Sequence, residues 1–182
     1  MKVKPTHQPG KVVLEATDKD AALLASGAAT TLRIRKILAP VDFSECSRQA
    51  LRYAVAFARQ FGAAVSLIHV VGLNYGGGEF GVVDLGQLEG QLAEAASKRL
   101  KQLIETEVPA EIRADAIVRV GAPAAVIADC AKQRETDLII LSTHGYRGLK
   151  HLLLGSTAEN VARLAPCPVL IVREHEHEFV TG

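Results

Sequence analysis

Short apolar runs alternate with longer amphipathic segments along most of the chain. The runs occupy residues 36–41, 63–71, 112–120, 137–142 and 168–173. Each has the length and the continuous apolar character of a strand that is buried on both faces of a parallel sheet. Residue 42, an aspartate, ends the first run, and a proline at the start of the last run is tolerable at a strand end. The pattern therefore predicts five strands.

Helices are predicted between these runs. The first begins near Ser44 and ends at Gly62, which stands where a C-cap glycine belongs. Its predicted inner face carries Ala50, Leu51, Ala54, Phe57, Ala58 and Phe61. A second, long helix has its apolar residues at helical spacing, namely Leu85, Leu88, Leu92, Ala96, Leu100 and Leu103. Pro123 opens a third helix in its first turn, and residues 156–164 form the last.

The alternation of strands and helices predicts an α/β fold, a doubly wound five-stranded parallel sheet with helices on both faces. Such sheets bind ligands beyond the carboxyl ends of their strands, at the point where the strand order reverses. We therefore expect a functional site in the loops after the first and fourth strands.

Residues 1–32 differ in composition from the rest of the chain. They mix Lys, Thr, Pro, Gly and Asp and end in small residues, so we interpret them as a flexible N-terminal extension with one short strand at residues 11–15. The predicted domain then covers residues 33–174, and residues 175–182 form a C-terminal tail.

Composition and charge exclude several classes of protein. The 182 residues are 48% apolar and 23% charged, and the net charge of +1 comes from scattered side chains, which argues against a nucleic-acid partner. No apolar stretch has the length of a membrane span or of a signal peptide's apolar region, so we expect a cytoplasmic protein with no membrane partner. Cys46, Cys130 and Cys167 form no CxxC pair and predict neither a disulfide framework nor a zinc site.

The segment from Ser142 to Thr157 carries the strongest chemical signal. Ser142-Thr143-His144-Gly145 leaves the fourth strand, and Gly155-Ser156-Thr157 begins the last helix nine residues later. A helix N-terminus presents backbone N–H groups to phosphate, and glycines let the backbone approach closely. A capping box between Ser156 and Glu159 would explain the same residues without a ligand.

Residues 33–173 as a whole resemble the universal stress protein family. The resemblance rests on Ile37-Leu38-Ala39-Pro40-Val41-Asp42-Phe43-Ser44 at the first strand, on Gly145, nine residues and Gly155-Ser156, and on Cys167-Pro168-Val169-Leu170-Ile171-Val172 at the last strand. It implies a sheet of the adenine nucleotide alpha hydrolase-like type with strand order 3-2-1-4-5. It also implies ATP with Mg²⁺ as ligand, and a homodimer paired through the last strand, Val169–Val172.

Ser142 departs from the pattern of the family's ATP-binding members. Those members carry a glycine three residues before the glycine that Gly145 matches, and Gly148 cannot replace it because only six residues separate Gly148 from Gly155. A serine at this position is small but excludes some backbone conformations. We expect weakened or retuned nucleotide binding.

The resemblance also assigns roles to individual residues. Asp42 would accept from ribose or adenine groups, although an N-cap of the following helix is the alternative reading. By position, and not by the resemblance, His144 would contact a phosphate or a metal-bound water, although a structural role is favoured for it. Arg147 would supply charge to the phosphates, although a solvated loop explains it equally well. The adenine pocket would be lined by the backbone at Ala39, Val70, Val120 and Gly121, and Pro40 is a further predicted cofactor-binding residue.

Two further patterns are weaker. Gly76, Gly78 and Gly81 match GxGxxG, but the next helix begins only near Leu85, which fits a variable loop better than a dinucleotide site. The histidines at 175 and 177 are too few for a metal site.

Three functions remain open at this point. The first is an ATP-binding stress-response or signalling protein, with hydrolysis at most slow because no general base, Walker lysine or acidic pair stands out. The second is an adenine-nucleotide hydrolase or phosphotransferase that uses Asp42 or His144. The third is an interaction module that has lost its nucleotide.

Overall fold

The computed structural model describes residues 2–5, 12–15, 32–72, 85–143 and 155–173. Within these ranges the chain forms seven strands and four helices. In chain order they are β1 (Lys2–Pro5), β2 (Val12–Glu15), β3 (Lys36–Pro40), α1 (Glu45–Phe61), β4 (Ala64–Val71), α2 (Leu85–Glu107), β5 (Ala114–Val120), α3 (Pro123–Gln133), β6 (Leu138–Ser142), α4 (Ser156–Leu164) and β7 (Val169–Val172).

The chain divides into two units, Met1–Arg33 and Ile34–Gly182. In the first unit β1 and β2 pair antiparallel, with Lys2 opposite Glu15 and Pro5 opposite Val12. The strand expected at residues 11–15 is present as β2. Its partner β1 was not predicted, because four residues that include two lysines and a proline carry little strand signal.

The second unit contains a five-stranded parallel sheet in the order β5-β4-β3-β6-β7. Counted from β3, this is the order 3-2-1-4-5, so the predicted fold class and topology are confirmed. Ile37 of β3 lies opposite Val65 on one side and opposite Leu138 on the other. β3 is therefore the central strand, and β5 and β7 are the two edges.

Helices cover both faces of this sheet, as predicted. One core cluster packs α1 and α2 against Ile37 and Ala39 of β3, and a second packs α3 and α4 against Leu38 of the same strand. Leu38 and Ala39 are completely buried. Because successive side chains of a strand point to opposite faces, a single short strand contributes to both cores.

The helix ends follow the local sequence. The Ser44 hydroxyl accepts from the Ser47 backbone N–H at 3.2 Å and caps α1, and Gly62 ends that helix with φ +67°. Pro123 occupies the first position of α3, where its missing N–H costs nothing.

The apolar stripe of α2 is buried only in part. Ala96 and Leu100 lie in the core, whereas Leu88 and Leu92 are 39% and 43% exposed. A helix of 23 residues is about 35 Å long, and the eight residues of β4 span about 26 Å. The first turns of α2 therefore extend past the sheet at the carboxyl ends of its strands. Neither α2 nor another helix in the described ranges is long and apolar enough to cross a membrane.

The cysteines are consistent with structural roles. All three are in the reduced thiol form. Cys130 is buried and Cys167 is half-buried, and burial raises the pKa of both thiols, which keeps them protonated at neutral pH.

Candidate functional site

The carboxyl ends of β3 and β6 lie side by side at the centre of the sheet. The chain leaves β3 for α1 on one face and leaves β6 for α4 on the other face. Diverging connections of this kind open a crevice beyond the carboxyl ends of the strands, which is the place where doubly wound folds bind ligands. Asp42 follows β3 and Ser142 ends β6, so the structure brings these two predicted site residues to the same crevice.

Asp42 organises the turn between β3 and α1. One of its carboxylate oxygens accepts from the Ser44 backbone N–H at 3.0 Å and from the Ser44 hydroxyl at 2.5 Å. Ser44, and not Asp42, is the N-cap of α1. The alternative role suggested for Asp42 is therefore wrong: the residue lies two positions before the N-cap, and it orients the serine that caps the helix.

Phe43, between Asp42 and Ser44, has a left-handed backbone conformation with φ +65°. Its ring lies 4.6 Å from the His69 ring, centroid to centroid, and the Arg99 guanidinium carbon stands 4.0 Å over it. The Nδ1 atom of His69 lies 2.8 Å from the Val41 carbonyl oxygen. A carbonyl can only accept, so Nδ1 carries the hydrogen.

The connection from β6 to α4 is closed at its base. Thr143 donates its backbone N–H to the Val172 carbonyl at 3.0 Å, and its own carbonyl accepts from the Gly155 N–H at 2.9 Å. Thr143 is buried. Its two hydrogen bonds link the start of the connection both to its end at Gly155 and to β7. The predicted site residues His144, Gly145 and Arg147 lie outside the described residues.

The N-terminus of α4 faces this connection. Gly155 is its N-cap, with φ −60° and ψ 144°, and within the described ranges no side chain caps the helix. Ser156 and Thr157 occupy the first two helical positions and are exposed. The backbone N–H groups of a first helical turn have no acceptor within the helix, so they are available to an anion.

The alternative interpretation of Ser156 and Glu159 as a capping box is wrong. The N-cap is Gly155, so Ser156 already lies inside the helix. The Glu159 carboxylate accepts from Arg163 at 2.9 Å. The helix therefore begins at Ser156, one residue earlier than a capping role for Ser156 would require.

The other predicted pocket residues occupy the ends of β3, β4 and β5. Val70 and Pro40 are half-buried, and Val120 is 40% exposed at the carboxyl edge of β5. Gly121 donates its N–H to the Val71 carbonyl at 3.1 Å. Ala39 differs from the others, because its side chain is fully buried in the first core cluster.

Among the described residues, no group of three or more His, Cys, Asp or Glu side chains could hold a metal ion. Mg²⁺ is often bound through one or two protein groups together with substrate phosphates, so a nucleotide site does not need such a group. The GxGxxG glycines and both tail histidines lie outside the described residues.

Sequence reasoning missed Phe43, His69, Arg99 and the Thr143 peptide. The only local signal was a histidine within the apolar run of β4. The contacts of the other residues join segments that are far apart in sequence, and hydrophobic periodicity does not report such contacts.

Comparisons with known proteins agree on one family. A model described as the universal stress protein family matches residues 33–173. The universal stress protein MJ0531 of Methanocaldococcus jannaschii is 36% identical over 150 residues, which cover 79% of this chain and 85% of that protein.

Solved structures share the fold. The structure of MJ0577, from the same archaeon, aligns with a TM-score of 0.70 at 31% identity and covers 80% of this chain and 100% of that chain. A universal stress protein in complex with cAMP aligns with a TM-score of 0.55 at 22% identity, over 78% of this chain and 98% of that chain.

Gly121 provides a test of the geometry at the end of β5. Its φ of +141° is unfavourable for other residues, and an added Cβ would lie 3.0 Å from Cγ2 of Val126. We expect Gly121→Ala to lower the free energy of unfolding by about 1–3 kcal/mol. Adding Val126→Ala should recover the part due to the steric contact and leave the part due to φ. Urea unfolding of the single and double variants measures both parts, and an unchanged midpoint for Gly121→Ala would contradict this geometry.

Proposed function

The chain belongs to the universal stress protein family, and from that premise we propose that residues 33–174 bind ATP with Mg²⁺ at the carboxyl ends of β3 and β6. The observation that carries the proposal is the N-terminus of α4. Its cap is a glycine, no described side chain caps it, and a hydrogen bond from Gly155 to Thr143 places it next to the carboxyl end of β6.

Gly155 supports a phosphate at this place. Its φ of −60° and ψ of 144° lie in a region that every L residue can adopt, so the backbone conformation does not require glycine. A glycine here instead lets phosphate oxygens approach the amides of the first helical turn. The exposed hydroxyls of Ser156 and Thr157 add donors, and the phosphates themselves would hold most of the Mg²⁺ coordination.

Asp42 and Val120 support the nucleoside. An ionised carboxylate only accepts hydrogen bonds, and ribose hydroxyls donate them, so Asp42 would bind the sugar. Val120 supplies exposed apolar surface against which an adenine ring can pack. The structure in complex with cAMP shows that this fold accommodates an adenine nucleotide.

ATP acts in this proposal as a ligand that changes conformation or partner binding, in a cytoplasmic stress-response or signalling role. A nucleotide shifts such an equilibrium only by its difference in affinity for the two states. No residue is assigned a catalytic role, and hydrolysis is at most slow.

The edge strand β7 supports a homodimer. It pairs with β6 on one side, and its residues Val169, Leu170 and Ile171 are only half-buried. An apolar edge that stays unpaired invites uncontrolled association, so natural proteins cover it. We propose that a second copy of the chain pairs with β7.

The first prediction concerns binding itself. Titration of the nucleotide-free protein with Mg-ATP should give saturable heat at one site per chain. Gly155→Ala should weaken binding about ten-fold or more, because a methyl group there displaces a phosphate from charge-assisted hydrogen bonds.

Gly90→Ala is the matched control for that titration. Gly90 is an exposed glycine of α2 with no atom within 4 Å of an added Cβ, so the same chemical change should leave binding unaltered. A protein that gives no binding heat would refute the ATP proposal and favour the interaction module. Steady release of phosphate that is lost in Asp42→Asn would instead favour the enzyme.

Ser142→Gly tests the departure from the family pattern. The half-buried Ser142 side chain stands at the end of β6, and removing it lets a nucleotide approach the backbone more closely. We expect a Kd for Mg-ATP at least about two-fold lower, measured by the same calorimetry. An unchanged Kd would show that the serine has no influence on the site.

Ile171→Pro tests the dimer. The carbonyl of Val172 accepts from Thr143, so the backbone groups of Ile171, one residue earlier, point away from β6. A proline at 171 removes the N–H that points outward to a second copy, and it leaves the hydrogen bonds between β7 and β6 intact. Sedimentation at micromolar concentration should give a dimer for the natural chain and for Ile171→Val, and a monomer of unchanged helical content for Ile171→Pro. A monomeric natural chain would contradict the proposal.

A further inference from the structure

The backbone at Phe43 holds a conformation that a bulky residue rarely adopts. Its φ of +65° lies in the left-handed region, where a side chain crowds its own backbone. Such a conformation persists only where the surroundings hold it in place. The residue stands directly after Asp42 and directly before Ser44, so whatever holds Phe43 also holds the carboxylate of Asp42.

Two elements beyond the turn supply these contacts. His69, on β4, donates from Nδ1 to the Val41 carbonyl at 2.8 Å and places its ring 4.6 Å from the Phe43 ring. Arg99, on α2, places its guanidinium 4.0 Å over the same ring, within the range of a cation–π interaction. The residue before Asp42, Val41, is therefore hydrogen-bonded to His69. The residue after it, Phe43, is in contact with both His69 and Arg99.

We propose that His69 and Arg99 are positioning residues that fix Asp42 for recognition of the nucleotide ribose. The inference rests on the proposed ATP site and adds to it the part of the chain that determines sugar selectivity. Neither residue touches the ligand in this proposal. Both act through Phe43 and Val41.

The physical gain is preorganisation. A carboxylate that is already oriented loses little conformational freedom when it binds a hydroxyl, so more of the hydrogen-bond energy appears as affinity. Asp42 is held through its backbone on both sides and through its hydrogen bonds to Ser44. Loosening the turn would cost affinity only for ligands that carry the hydroxyl to which Asp42 binds.

This selectivity separates positioning from a purely structural role. Loss of a structural contact would weaken every nucleotide by a similar factor. Loss of positioning would weaken ATP and leave unchanged an analogue that lacks the recognised hydroxyl. We therefore compare the dissociation constants of Mg-ATP, 2′-deoxy-ATP and 3′-deoxy-ATP.

Arg99→Gln is the main variant. Arg99 is exposed on α2, so the fold should tolerate the change. A cation–π contact at an exposed site changes an equilibrium constant by about two- to five-fold. We therefore expect Arg99→Gln to raise the Kd for Mg-ATP by about the same factor. The Kd of the analogue that lacks the recognised hydroxyl should not change. Lys98→Gln is the control, because it removes the same charge at the neighbouring position. Among the described side chains Lys98 pairs only with Glu94, so this change should alter none of the three dissociation constants.

Two substitutions at His69 separate its contributions. His69→Asn keeps an N–H donor for the Val41 carbonyl and loses the ring, whereas His69→Phe keeps a ring against Phe43 and loses the donor. Each should lower the preference for ATP over the deoxy analogue. Adding Arg99→Gln to Asp42→Asn should have no further effect on that preference, because the carboxylate that Arg99 positions is already gone.

The outcomes distinguish this inference from the function on which it rests. Equal weakening of all three nucleotides by Arg99→Gln, no weakening at all, or a natural chain that does not distinguish ATP from either deoxy analogue would each overturn the positioning role alone. A natural chain that binds none of the three nucleotides would overturn the ATP site and the positioning role together. Thermal unfolding of each variant identifies any loss of fold, and rescue by Arg99→Lys would support the cation–π contact.

Discussion

The placement of β3 between β4 and β6 is the constraint on which the rest of the second unit depends. The strand is paired on both sides and contributes to the cores on both faces. At its amino end the Asp137 carboxylate accepts from the backbone N–H groups of Arg35 and Lys36 at 2.8 and 3.0 Å. A slip of one residue would exchange the side chains that face the two cores, so the register is strongly fixed. Asp42 therefore keeps a fixed place relative to Ser142.

Main-chain groups are prominent in the described part of the crevice beyond β3. The start of α4 presents backbone amides, the hydrogen bonds of Thr143 to Val172 and Gly155 hold that start in place, and the turn around Phe43 holds Asp42. A site of this kind tolerates change in many side chains as long as the backbone path is kept. For the same reason, the identities of single residues along the sequence say little about where such a site lies.

The sequence predicted the strands and helices of the second unit, their order and the end of the sheet that carries the candidate site. Those features follow from hydrophobic period and chain order, which are local properties. The alternative N-cap readings were wrong: the caps are Ser44, two residues after Asp42, and Gly155, one residue before Ser156, because a shift of one or two residues in a turn changes which side chain can reach the helix amides. The left-handed Phe43 and its contacts with His69 and Arg99 were not predictable, since they depend on packing between distant segments. The exposure of Leu88 and Leu92 follows from the length of α2 relative to the strands of the sheet, and hydrophobic periodicity does not report that difference in length.

The central position of β3 also decides the order in which the fold can be completed during synthesis. The strand pairs with β4 soon after both emerge, but the residues that lie against its other side follow about a hundred positions later, as in the contact between Arg35 and Asp137. Contacts over such separations are slow to form and carry a large loop-closure cost. A nascent chain that ends before β6 has the turn around Asp42 but lacks the opposite wall of the crevice. The candidate site is therefore complete only once the last segments of the domain have been made, which ties it to completion of the fold.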